Sequence, residues 1–273
     1  MACGMVRPVL AGMTTAVPNQ TGRSLTLDAL PTISIVTICR DAAPTLKRAI
    51  QSVQACLYPN LEYVVVDGGS TDGTLSIIDR YRGSIDRFVS EPDSGISDAM
   101  NKGIRLSTGE YHYLLHADDE LDAAALEQLA VHARQRPAVV AGSVRVMAGE
   151  RLVRIFRPEP AKLKQKMSVP HMGCLVRKDV WAEVGGYDLR RKIAMDHLFM
   201  LRIFQRYGLD GFRVVDTMVA DYHLGGVSDH RVLEGFAELK DNLLEAGASP
   251  LAASLAYYKL VAKSRIGKLI RGS

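Results

Sequence analysis

The chain reads as an α/β protein with a mostly parallel central sheet covered by helices on both faces. Three observations predict this. Short apolar runs at residues 33–38, 63–66 and 111–115 alternate with segments whose apolar residues recur at helical spacing, the pattern of βαβ units. The runs are continuous, as in strands buried on both faces. Two of them end in acidic clusters: Asp67-Gly68-Gly69-Ser70-Thr71-Asp72-Gly73 follows the second, and His116-Ala117-Asp118-Asp119 the third. Ligands of open parallel sheets bind beyond the carboxyl ends of the strands. Asp67, Asp118 and Asp119 are therefore expected at one rim, where paired carboxylates suit a hard divalent cation and the phosphates it carries.

Taken in order, residues 33–38 form the first strand. The turn Cys39-Arg40-Asp41-Ala42-Ala43 leads to Pro44, suited to the first turn of a helix lined by Leu46, Ile50 and Val53. Residues 63–66 are the second strand, and Asp72 then suits the N-cap of a helix carrying Leu75, Ile78 and Tyr81. Arg87-Phe88-Val89 is a short third strand. Ile96, Met100 and Ile104 mark the next helix, residues 111–115 the fourth strand, and residues 121–134 a further helix. The second half is less regular. Residues 139–144, 152–156 and 174–176 read as strands, Lys162, Lys164 and Lys166 lie in a basic loop or frayed helix, and Asp196 opens a helix with Phe199, Ile203 and Tyr207 on one face.

The 273 residues suffice for one large domain with extensions. A 47% hydrophobic, 23% charged composition is that of a globular protein, and a net charge of +4 without interleaved basic and aromatic residues does not point to nucleic acid. No apolar stretch reaches membrane-spanning length. Cys3, Cys39, Cys56 and Cys174 lack Cys-x-x-Cys spacing, so neither a zinc site nor a disulfide framework is expected, and a reducing compartment is. Residues 1–30, broken by Pro8 and Pro18, read as a disordered leader, with Met5 and Met13 as alternative starts. A domain over residues 31–235 is expected, followed by a basic helical extension over 236–273. In that tail Leu251, Leu255, Tyr258, Ala262, Ile266 and Leu269 fall at helical spacing beside Lys259, Lys263, Arg265, Lys268 and Arg271. Arg265 sits inside the apolar stripe. Such a helix suits an anionic membrane surface, or equally docking on the domain with its basic end favouring the helix dipole.

Several motifs occur in order: Ile33-Ser34-Ile35-Val36-Thr37; the Asp67–Gly73 cluster; Asp93-Ser94-Gly95-Ile96-Ser97-Asp98-Ala99-Met100-Asn101-Lys102-Gly103; Ala117-Asp118-Asp119; Gly185-Gly186-Tyr187-Asp188; Asp196-His197-Leu198; and Gly225-Gly226-Val227-Ser228. Each alone is weak, but the ordered set, spanning residues 31–228, resembles the family 2 glycosyltransferases, which have the GT-A fold. The resemblance implies inverting transfer of a sugar from a nucleotide sugar, UDP-linked by preference, to a hydroxyl of a glycan or lipid-linked acceptor, with Mg2+ or Mn2+ on the diphosphate. It also implies surface-glycan synthesis at the cytoplasmic face of the membrane. It assigns Thr37, Arg40, Asp67, Gly68, Gly69, Asp98, Lys102 and Asp118 to the donor, Asp119 to the metal, Asp196 to the general base, and His171 and His223 to acceptor or diphosphate.

Each assignment has a plainer alternative. Asp67 is also a turn former, Asp118 and Asp119 also an N-cap pair, Asp196 also an N-cap, and Asp98 with Lys102 also a solvated i, i+4 pair. His171 also suits a local hydrogen bond. The strict acidic pattern lacks its first acid here, and Met195-Asp196-His197 departs from the usual surroundings of the base. Two rivals stand beside the enzyme reading. A nucleotidyltransferase would want a Gly-rich basic loop after the first strand, which residues 39–43 are not. A non-catalytic binding module would lack the metal pair or the base, and this chain has both.

Overall fold

The structure, a computed structural model, describes residues 30–271, with no side chains described beyond residue 264. The expected leader thus falls almost wholly outside the described residues. Nine strands make one sheet: β1 (Ile33–Cys39), β2 (Leu61–Asp67), β3 (Arg87–Ser90), β4 (Tyr111–His116), β5 (Glu120–Leu121), β6 (Val139–Ala148), β7 (Arg151–Phe156), β8 (Cys174–Arg177) and β9 (Phe212–His223). Their order is β3-β2-β1-β4-β8-β6-β9-β5, with β7 on β6. The first four strands are mutually parallel, as the alternating pattern predicts. β8 then runs antiparallel between β4 and β6, while β6 and β9 are parallel.

Helices α1 (Leu46–Gln54), α2 (Thr74–Arg80) and α4 (Ala125–Ala133) cover one face, and α3 (Ile96–Leu106) and α6 (Met195–Tyr207) the other. Strand alternation divides the side chains between them. Ile35, Tyr63 and Val65 join Leu46, Ile50 and Leu126, whereas Val36, Val64 and Leu114 meet Met100, Ile104 and Phe199. Gly103 lets α3 lie close to the sheet, because a Cβ there would stand 2.2 Å from Val36 Cγ1. Cys39 and Cys174 are buried thiols.

Two readings change. Leu121 does not open a helix. It pairs with Ala220 in β5 and its N–H donates to Ser52 Oγ at 3.0 Å, so α4 begins only at Ala125. The long strand β9 is not evident as an apolar run, because Arg213, Asp216, Thr217 and Asp221 interrupt it. Downstream lie α5 (Lys178–Val184, before α6), α7 (Val227–His230), α8 (Val232–Glu245) and α9 (Pro250–Arg271). Leu239 and Leu243 of α8 and Ala253 of α9 enter the same core as α6. Among the described residues no helix is long and apolar enough to cross a membrane.

Candidate active site

From β1 the chain builds outward to β2 and β3, then returns to the other side of β1 with β4. The strand order reverses between β1 and β4, and the space beyond the ends of these strands, at Cys39 and His116, is where such sheets bind ligands. The loops that follow β1, β2 and β4 carry most of the residues assigned to the donor and the metal.

After β4 the backbone turns sharply, Asp119 N–H donating to His116 O at 3.2 Å. That turn folds the two acids back beside the histidine. One ligand atom from each of His116, Asp118 and Asp119 lies within 4.8 Å of the others. Asp119 is wholly buried. Its Oδ1 accepts the N–H of His223 at 3.0 Å, but among the described residues its Oδ2 has no partner, and neither has buried His116 Nε2. Burial, and then the negative charge of Asp118, push the Asp119 carboxyl well above the usual carboxylate range. Burial also lowers His116, which favours the neutral imidazole that a metal requires. Orphaned buried acceptors beside a second carboxylate are costly, and a divalent cation would satisfy all three. The donor set therefore fits one, and neither acid is hydrogen-bonded as a helix N-cap. His116 is the participant that the sequence did not single out; its position two residues before Asp118 was the available signal.

Asp67, also wholly buried, is saturated by its own surroundings. Its carboxylate accepts from the Ser70 hydroxyl, from Ser90 Oγ at 2.7 Å, and from the N–H groups of Gly69 and Ser70 at 3.2 and 3.1 Å. These bonds hold its pKa below the ordinary value against the opposing effect of burial. It shapes the loop from within. Gly69 turns there with φ of +79°, and Gly68 lies so close to the next loop that a Cβ would meet Asp93 Oδ2 at 2.2 Å. Thr37 is likewise buried, its hydroxyl bonded to that of Tyr63 at 3.2 Å, and so packs beneath the strand ends. Arg40 is exposed, with its Cβ beside Gly68.

Asp98 and Lys102 form the expected i, i+4 pair at 3.6 Å and together brace the Glu91–Asp98 segment. Lys102 Nζ meets Glu91 at 3.0 Å and Pro92 O at 2.8 Å, and Asp98 accepts Ser94 N–H at 3.0 Å. His223 faces Glu120, at 3.0 Å, rather than standing free beside the acids. His171 makes the local bond, 2.6 Å to the hydroxyl of Tyr187.

Asp196 is the second residue of α6, whose N-cap Ala194 supplies no side-chain cap bond among the described residues, and a second carboxylate braces the segment just before it. Glu238 of α8 accepts the N–H groups of Lys192, Ile193 and Ala194 at 2.7, 2.9 and 2.8 Å. The Asp196 carboxylate accepts the first-turn N–H of His197 at 2.7 Å. Burial, with a smaller push from Glu238, raises it to about 6. It is close enough to Tyr187 to resist ionisation of that phenol, and His171 senses His116 in the same way. Tyr187, which feels the Asp196 charge, is itself hydrogen-bonded to His171.

Carboxylates fit for a cation at the switch point of a parallel sheet are the arrangement in which α/β proteins hold phosphate-bearing ligands. The comparisons name the kind of protein. Residues 34–199, more than half of the chain, match the Glycosyl transferase family 2 model, and the chain belongs to that family. An uncharacterised glycosyltransferase of Mycobacterium tuberculosis is 33% identical over 187 residues, which cover 64% of this chain and 70% of the relative. A PGL/p-HBAD biosynthesis glycosyltransferase of Mycobacterium bovis is 30% identical over 212 residues, covering 74% and 80%. Among solved structures, S. aureus TarS 1-349 in complex with UDP superposes with a TM-score of 0.62 at 18% identity, over 84% of this chain and 70% of that one. The mannosyltransferase PcManGT from Pyrobaculum calidifontis, in complex with GDP-Man and Mn2+, reaches 0.54 at 19% identity, over 95% and 85%. The fold is GT-A.

Proposed function

We propose that this glycosyltransferase moves a hexosyl or acetylhexosaminyl group, with inversion, from a UDP-sugar to a hydroxyl of a glycan or lipid-linked acceptor in cell-surface glycan synthesis. The observation that carries the reading is the orphaned Asp119 carboxylate beside Asp118 and His116 at the switch point. His116, Asp118 and Asp119 would hold the metal, and the imidazole favours Mn2+ over Mg2+. A bound cation supplies charge neutralisation to the departing diphosphate. The chain's own groups do the rest. Asp67 sets the loop whose Gly68 and Gly69 admit the nucleotide, and Arg40 supplies positive charge beside it. Asp196 accepts the acceptor's hydroxyl proton as that oxygen bonds to the anomeric carbon; the bond from that carbon to the diphosphate oxygen breaks with both electrons leaving on the nucleoside diphosphate. A base near 6 is ionised at neutral pH yet basic enough to take the proton.

UDP is favoured by the UDP complex of TarS, while PcManGT with GDP-Man keeps GDP as the competitor. The glycolipid acceptor class is supported by the PGL/p-HBAD relatives. The test is thermal unfolding with UDP, GDP, CDP and dTDP, each with and without Mn2+. Ligand at a hundredfold its dissociation constant stabilises by about 2.7 kcal/mol. A shift with UDP that needs Mn2+ and disappears in Asp119→Ala is expected; no shift with any nucleotide would refute the reading.

A further inference from the structure

Helix α9 is apolar on two opposite sides, and only one is covered. Ala253 is fully buried, and Ala256 and Leu260 pack beside it against the core that includes Leu239 and Leu243 of α8. At 3.6 residues per turn, Leu251, Leu255, Tyr258 and Ala262 fall within roughly 60° of arc on the other side. Leu251 is 80% exposed, Leu255 52% and Tyr258 65%. A docked helix normally shows polar residues to solvent, so a second apolar stripe is unexplained by packing. Charge indicates what covers it. Lys259 and Lys263 are exposed on the flank of the stripe, and neither forms an ion pair among the described residues. Beyond Glu245 the sequence holds five basic residues and no acid.

We propose that this outer face of α9 lies in the headgroup region of an anionic lipid bilayer, with Leu251, Leu255 and Tyr258 inserted and Lys259 and Lys263 on the lipid phosphates. The helix then has two distinct jobs on its two sides. Its inner side anchors it to the catalytic domain, and its outer side holds that domain at a membrane. An exposed stripe of three large side chains is too small for irreversible insertion, so the attachment is peripheral and charge-assisted. The proposal stands whether or not the donor and acceptor are those named above.

The experiment is co-sedimentation of the full chain with vesicles of phosphatidylglycerol and phosphatidylcholine, and with phosphatidylcholine alone. Binding to the anionic vesicles is expected, with weak or no binding to the neutral ones. Leu251→Ser with Leu255→Ser should cut partitioning at least tenfold, and Lys259→Glu or Lys263→Glu about fivefold or more each, at roughly 1 kcal/mol per basic residue. These positions are exposed, so melting temperature should not change. Failure of the full chain to sediment with anionic vesicles would overturn the proposal. So would concentration-dependent dimerisation in sedimentation velocity that the leucine variant abolishes, because a second copy would then cover the stripe.

Discussion

Replacing Glu238 with Ala should loosen the start of α6 and, with it, the orientation of Asp196. Three backbone N–H groups lose a carboxylate acceptor. Each such bond is worth about 1 kcal/mol net, and water recovers part of the loss because the carboxylate is half-buried, so roughly 2 kcal/mol is expected. For a chain of this size that corresponds to about 4–8 °C in melting temperature. Glu238→Gln keeps one acceptor oxygen and removes the charge, so its stability loss should be smaller. The charge also bears on catalysis. Burial is the main reason Asp196 titrates near 6, and Glu238 adds to it. Removing that charge should move the acid limb of the pH–rate profile to lower pH in Glu238→Gln. Denaturant unfolding gives the first quantity, and release of nucleoside diphosphate across pH the second. A Glu238→Ala variant of unchanged stability, or a Glu238→Gln acid limb that stays in place, would refute the reasoning.

Other outcomes follow from the same geometry. Asp196→Asn should retain metal-dependent nucleotide binding while transfer falls by about two to four orders of magnitude. Its folded-state pKa is raised from 3.8 to about 6, so the ionised carboxylate costs stability above that pH and the cost fades as pH falls. The Asn variant should therefore be more stable by about 1–3 kcal/mol near pH 8 and no more stable near pH 4, which paired unfolding curves would show. His112 is fully buried with both ring nitrogens unpartnered among the described residues, and burial lowers it from 6.5 to about 3. The unfolded chain takes up that proton first as pH falls below 6.5, so stability is lost on acidification, by about 2 kcal/mol at pH 5; His112→Leu should flatten that slope. Gly103→Ala should destabilise by about 1–3 kcal/mol, because its methyl group collides with Val36 between α3 and the sheet. Calorimetry at neutral pH would measure it, and an unchanged melting temperature would mean that α3 can shift.

Strands β1, β2 and β4 were legible because each is covered on both faces and keeps a continuous apolar run. The acids behind them were legible because turn chemistry and ligand chemistry coincide at strand ends. β9 was not, for a physical reason: its exposure is uneven along its length and its register with β6 slips at Ala141–Ser143 and Ser143–Val144, so no single period survives. β5 is too short to carry a pattern. At the site, Asp196 was singled out by motif, whereas the carboxylate that braces the segment before α6 comes from Glu238, a residue 42 positions later brought in by α8. Asp67, Thr37 and Lys102 illustrate the converse. Their positions at the site were readable, but whether each side chain turns outward or inward is decided by Ser70, Tyr63 and Glu91.

The bond from His223 N–H to Asp119 closes a loop of 104 residues. The parallel strands β1 to β4 pair within the first half of the chain. The acidic pair is synthesised with them, yet its environment is completed only when β9 has emerged and docked beside β6. Asp119 and the backbone group that bonds it thus come from opposite halves of the chain, so the surroundings of this carboxylate are a product of the complete sheet rather than of one strand end.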